Sequence, residues 1–73
     1  MRRFTVILEA EANGGYSVSV PSLPGCASQG ETKTEALVNI REAIEGYVLS
    51  LRDDGLQIPP DREAILTAVE VSA

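Results

Sequence analysis

Apolar and polar positions alternate from the start of the chain. In "RFTVILEAE", Phe4, Val6, Leu8 and Ala10 fall on one side of an extended backbone and Thr5, Ile7 and Glu9 on the other. That two-residue period predicts a half-buried strand over 3–11. Asn13, Gly14 and Gly15 can close a hairpin, and Tyr16–Val20 alternates again, so a second, antiparallel strand is predicted over 15–20. Pro21 has no N–H for a ladder and ends it. Pro24 and Gly25 turn the chain, and a short third strand is expected over 26–30.

After Gly30 the period changes. Thr32 and Glu35 have capping-box spacing, the hydroxyl accepting from the Glu35 amide and the carboxylate reaching back to Thr32. Ala36, Leu37, Ile40, Ala43, Ile44, Tyr47, Val48 and Leu51 then make one continuous stripe, which predicts a helix over 33–54. Gly55 fits the position just past its end, with Leu56 folding back on Leu51. Pro59 and Pro60 forbid helix continuation, and "AILTAVEV", 64–71, reads as a fourth strand. The expected architecture is a single α+β domain spanning 1–73, of order β-β-β-α-β, with an antiparallel sheet and one helix on one face.

Length narrows what can hold this fold together. A chain of 73 residues buries only about 60% of the surface it exposes when unfolded. With one cysteine and no histidine, neither an internal disulfide nor a structural zinc site is expected. Oligomerisation is the remaining reinforcement. The sheet face carrying Thr5, Ile7, Ser17 and Ser19 is mixed in polarity and sheet edges invite pairing, so a homodimer or higher homo-oligomer built through faces or edges is expected.

The net charge is −5, from eleven acidic and six basic residues. That disfavours phosphate backbones, and Arg2 and Arg3 are too few for a nucleic-acid patch. It suits a basic partner, with Glu9, Glu11, Asp53, Asp54 and Asp61 as candidate acidic contacts. No apolar run is long enough to span a membrane. The N-terminus reads as a strand and not a signal peptide, so the cytoplasm is the expected location.

Little in the chain points to bond-breaking chemistry. Cys26 has no histidine to make it a thiolate and reads as a small buried residue. Ser17, Ser19, Ser22 and Ser28 cannot form a serine triad without a histidine. Asn13-Gly14-Gly15 joins strand to strand and lacks the phosphate-loop pattern. Glu9, Glu11 and Glu31 are the one carboxylate set worth weighing as a magnesium-dependent ribonuclease site, although no spacing demands it. The expectation is a protein without enzymatic activity, cofactor or metal.

The stretch "GGYSVSVPSLPGCASQGETKTEAL" running into "NIREAIEGYV" closely resembles the HicB-like antitoxins of bacterial and archaeal toxin–antitoxin systems. The resemblance implies a partial ribonuclease-H-like fold and a small, basic, RNA-cleaving HicA-like toxin as partner. It also implies dimers or higher assemblies. It directs attention to the motif residues Tyr16, Pro21, Leu23, Pro24, Gly25 and Cys26. Many such antitoxins carry a C-terminal DNA-binding module, for which the sequence after the fourth predicted strand leaves no room, so direct DNA binding is not expected. Ser22 stands where the family often has an acidic residue between the prolines, and Asn13 where it often has another, which weakens a residual nuclease role. Leu23 could sit inward as a plug or outward as an anchor, and on turn chemistry alone the loop serves to place strand three.

Overall fold

The computed structural model describes residues 2–73. Three strands, β1 (Ile7–Ala10), β2 (Tyr16–Ser19) and β3 (Ala27–Gly30), form an antiparallel sheet in the order β1-β2-β3 and lead into one helix, α1 (Lys33–Asp53). The α+β class expected from the periodicity is present.

The first strand is shorter than its alternation, and the reason lies across the sheet. Ile7 faces Ser19 and Leu8 faces Val18, so one more step would set Val6 against Val20, and the next Thr5 against Pro21. Val6 and Val20 would be a non-hydrogen-bonded pair, since Val20 points its N–H to the Cys26 carbonyl on the β3 side; the next bonded pair would need Pro21, which has no N–H to give. Residues 3–6 therefore run on outside the ladder.

The faces follow the predicted alternation. Val18, Val20, Leu23, Cys26, Ala36 and Ile40 form the buried core, and Phe4, Val6, Leu8 and Tyr16 pack against it from the sheet side. Ala43, Ile44 and Tyr47 do so from the helix. The helix lies over β2 and β3, so its stripe is only partly covered, and Leu37 stays 41% exposed.

Both helix ends are closed by their own residues. Thr32 Oγ1 accepts from the Glu35 N–H at 3.1 Å, as the capping box requires. The Glu35 carboxylate accepts from the Glu31 N–H, also at 3.1 Å, one residue earlier than expected. At the other end the Gly55 N–H donates to the Arg52 carbonyl (3.0 Å) and the Leu56 N–H to the Leu51 carbonyl (2.8 Å), the bond pair of a glycine-terminated helix. Leu56 itself is 58% exposed, so the fold-back onto Leu51 is made by backbone.

The main departure is at the C-terminal end. Residues 64–71, expected as a fourth strand, take no place in the sheet, and the order within one chain is β-β-β-α. Asp61 explains the path. Its carboxylate accepts from the Thr5 N–H and the Thr5 hydroxyl, both at 2.8 Å. That clamp, after two prolines with fixed φ, holds the root of the segment beside residues 3–6. The rest extends outward, and the molecule is 48 Å long in its greatest dimension.

The clamp is pH-sensitive. The bonds from Thr5, backbone first and then hydroxyl, hold the Asp61 carboxyl below its ordinary value. Because the folded value is lowered, the clamp's contribution is complete above the unfolded value of about 3.9 and is lost as pH falls through the folded one. An NMR titration is expected to show the Asp61 carboxyl and the Thr5 amide moving together, with a midpoint below the usual aspartate range.

Candidate functional site

The connection from β2 to β3 is a compact double turn. The Leu23 N–H donates to the Val20 carbonyl (3.1 Å) and the Cys26 N–H to the Leu23 carbonyl (3.0 Å). The Val20 N–H donates to the Cys26 carbonyl and closes the pair of turns on itself. Pro24 and Gly25 are the central residues of the second turn, and Gly25 has φ +81°. Proline followed by a residue of positive φ is the signature of a type II turn.

This geometry decides which way Leu23 points. It is 0% exposed, a plug seated among Val18, Val20, Cys26 and the helix residues Ala36 and Ile40. The outward-anchor alternative is thereby corrected. Cys26 is also interior, and burial pushes its thiol above its ordinary pKa, opposite to what a nucleophile needs. Tyr16 and Pro21 are half-buried, which leaves Pro24 and Gly25 as the exposed crest of the motif. The Ser22 hydroxyl is buried with no hydrogen-bond partner among the described residues.

The helix braces that crest. Tyr47 Oη donates to the Pro24 carbonyl at 3.0 Å, a role the sequence alone did not reveal because Tyr47 read only as part of the apolar stripe. Tyr47→Phe is expected to lower stability by about 0.5–1.5 kcal/mol, the net worth of one hydrogen bond. Amide exchange at Leu23 and Cys26 should accelerate, because their N–H groups hold the two turns.

At the opposite end of the sheet lies an open polar groove of about 700 Å³. The β1–β2 hairpin supplies Glu11 and Asn13, the end of β3 supplies Gln29, and the start of α1 supplies Glu31, Glu35 and Asn39. Asn39 Nδ2 donates to the Gln29 carbonyl at 2.8 Å and locks helix to strand there. Three carboxylates around one groove favour a cationic surface. Sequence reasoning singled out Glu11 and Glu31, read Glu35 only as a helix cap, and missed Asn39. The spacing of four puts Glu35 and Asn39 on one helix face, and that was the available signal.

The other acidic candidates are dispersed. Glu9 is exposed on β1 but does not line this groove. Asp53 and Asp54 end a helix of 21 residues, about 30 Å of helical rise from the groove. Asp61 is engaged by Thr5. Glu9, Glu11 and Glu31 are therefore not gathered as a metal site, and among the described residues no group of three or more His, Cys, Asp or Glu could hold a metal ion. No helix among these residues is long and apolar enough to cross a membrane.

Comparison with known proteins adds what geometry alone does not supply. A family model described as "HicB_like antitoxin of bacterial toxin-antitoxin system" matches residues 4–71. A UPF0150 protein of Thermoplasma acidophilum is 48% identical over 65 residues, covering 89% of this chain and 94% of that protein. One from Synechocystis is 48% identical over 58 residues, covering 80% of this chain and 73% of its own length. Another, from Helicobacter pylori, is 39% identical over 66 residues and 90% of each chain. The matched span includes the double turn, the polar groove and the helix.

Proposed function

Because this chain belongs to the HicB-like antitoxin family of bacterial toxin–antitoxin systems, we propose that it neutralises a small, basic, RNA-cleaving toxin of the HicA-like kind by covering its surface. The family match over 4–71 is the observation that carries this reading. The charge distribution gives it a physical form. A chain of net charge −5 steers a basic partner toward itself. The groove lined by Glu11, Glu31 and Glu35 offers that partner's lysines and arginines a concentrated acidic face, and the Pro24–Gly25 crest offers a stiff apolar one.

Inhibition by masking needs area, on the order of 1,200–2,000 Å² in total, and no bond is made or broken by the antitoxin. In this reading the protein acts in the cytoplasm as a homodimer or higher homo-oligomer. The partial ribonuclease-H-like resemblance is scaffold. Operator DNA is not a direct ligand, since the charge opposes it.

The test is co-expression with a candidate toxin, which would be a small basic protein encoded beside this chain. Growth arrest by that protein should be relieved by this chain, and relief should weaken when Glu11, Glu31 and Glu35 are changed together to Gln. In vitro the triple change should reduce affinity roughly tenfold or more, about 1.4 kcal/mol, with the loss greatest at low salt. Unaltered affinity would remove the acidic groove from the interface. Failure of the wild-type chain to bind would remove the antitoxin reading itself.

A further inference from the structure

The Pro24–Gly25 crest and the acidic groove lie at opposite ends of one strand. β3 starts just after the crest and Cys26, and it ends at Glu31, which lines the groove. Between them β3 is an edge of the sheet, paired with β2 alone. An edge strand presents its unpaired N–H and C=O groups to whatever lies beside it.

The register identifies these groups. The Cys26 carbonyl accepts from the Val20 N–H. Bonded pairs alternate along an antiparallel ladder, so the next are Ser28 with Val18 and Gly30 with Tyr16. Ala27 and Gln29 therefore turn their backbone groups away from β2. Gln29 bears this out, since its carbonyl accepts from the Asn39 side chain at 2.8 Å. The Ala27 N–H and C=O and the Gln29 N–H have no hydrogen-bond partner among the described residues. Both residues are exposed. The usual guards of an edge are missing as well. No proline or charged residue stands in the strand Ala-Ser-Gln-Gly, and its pairing with β2 runs without a bulge.

We propose that the toxin docks by adding a strand to the β3 edge, with basic side chains in the groove beside Glu31 and apolar ones on the Pro24–Gly25 crest. The inference rests on the antitoxin reading and gives it a docking mode. In strand addition the main-chain bonds supply attachment and the side chains supply specificity. From Gly25 to Glu31 is about 20 Å of extended chain, so one partner segment of similar length touches both ends.

Charge selects a basic partner over a second copy of this chain. Glu11, Glu31 and Glu35 call for cations at the Gly30 end. From Pro21 to Glu31 the chain has no basic residue, so a second copy laid β3 against β3 would bring none. Arg2, Arg41 and Arg52 lie elsewhere, around an apolar groove with Phe4 and Val6, the residues that lead into β1. The β1 edge of a second copy would bring Glu9 and Glu11, which are like charges.

The test uses the full chain and a basic toxin found by co-expression. Amide exchange is followed by NMR in the free and toxin-bound chain. The Ala27 and Gln29 amides should slow by roughly tenfold or more on binding, while Ser28, bonded to Val18 in both states, should change far less. Ala27→Pro removes one outward N–H at the first residue of an edge strand, where proline is tolerated. Its circular dichroism and urea midpoint should stay near those of the native chain. Its affinity should fall roughly tenfold or more, because a partner carbonyl loses its donor. Ala27→Ser keeps the N–H and should bind as the native chain does. Toxin binding that leaves the Ala27 and Gln29 amides exchanging as in the free chain would overturn the docking mode and leave the antitoxin reading intact. Native affinity in folded Ala27→Pro would do the same. Protection of these amides that grows with the concentration of the chain alone would give the edge to a second copy and overturn it too. Failure of the native chain to bind any basic toxin would overturn the antitoxin reading and the docking mode with it. Should Ala27→Pro not fold, the exchange measurement on the native chain still decides.

Discussion

Leu23→Ala is expected to lower the stability of the folded chain by about 2–5 kcal/mol, the range for truncating a buried leucine. For 73 residues the whole stability is about 4–11 kcal/mol, so the change removes a large fraction of it. The size follows from position. Leu23 is 0% exposed and the loop around it is closed by three backbone bonds, among them Val20 N–H to the Cys26 carbonyl at 3.1 Å. A loop tied in this way cannot collapse into the space left behind, and the cavity cost is retained. Urea unfolding should show the midpoint falling steeply, whereas Leu23→Met, which nearly conserves volume, should cost less than about 1.5 kcal/mol. Partner binding should weaken only as far as the unfolded fraction grows. An unchanged midpoint together with lost binding would place Leu23 at the interface and out of the core.

Gly30→Ala is expected to cost about 3 kcal/mol, at the upper end of overpacking effects. β3 passes so close to the start of α1 that a Cβ on Gly30 would stand 2.9 Å from Ala36 Cα and 2.9 Å from the Glu35 carbonyl carbon. Both neighbours are backbone and cannot swing aside. The helix is fixed against β3 by the Thr32 cap and by the 2.8 Å bond from Asn39 to the Gln29 carbonyl, so relief requires lifting the first helical turn off fully buried Ala36. Gly46→Ala is the control. Gly46 lies in the same helix with nothing within 4 Å of its added Cβ, and there the change should stabilise by about 0.5–1 kcal/mol. Opposite signs for two glycine-to-alanine changes in one urea series would establish the close approach. Equal small effects would refute it.

These two sites also mark how far the sequence could be read. Period and caps gave the elements. The helix predicted over 33–54 is observed over Lys33–Asp53, and Phe4, Val6 and Leu8 pack on the core as their alternation indicated. What failed to show was anything that depends on two distant segments meeting. Gly30 read only as the end of a strand, since nothing local says that Ala36 will lie against it. Leu23 could not be oriented from turn chemistry, because a type II turn is indifferent to the direction of the residue before its proline. Tyr47 could not be matched to the Pro24 carbonyl, 23 positions away. Residues 64–71 have a strand's alternation without a strand's partner. A period reports that a segment can pair and is silent on which chain it pairs with. Of the acidic positions, the groove joins Glu11 and Glu31, whereas Asp61 is committed to Thr5 for a reason 56 residues distant.

The antitoxin reading rests on stoichiometric masking, and one titration addresses it directly. A basic toxin found by co-expression would be held at a fixed concentration well above the dissociation constant, with cleavage of an RNA substrate followed as this chain is added. The account predicts a linear fall in cleavage to zero at a fixed whole-number ratio of chains, with full activity regained when the complex is dissociated. Cleavage that persists beyond saturating addition, or an RNA turnover that rises with this chain alone, would contradict it.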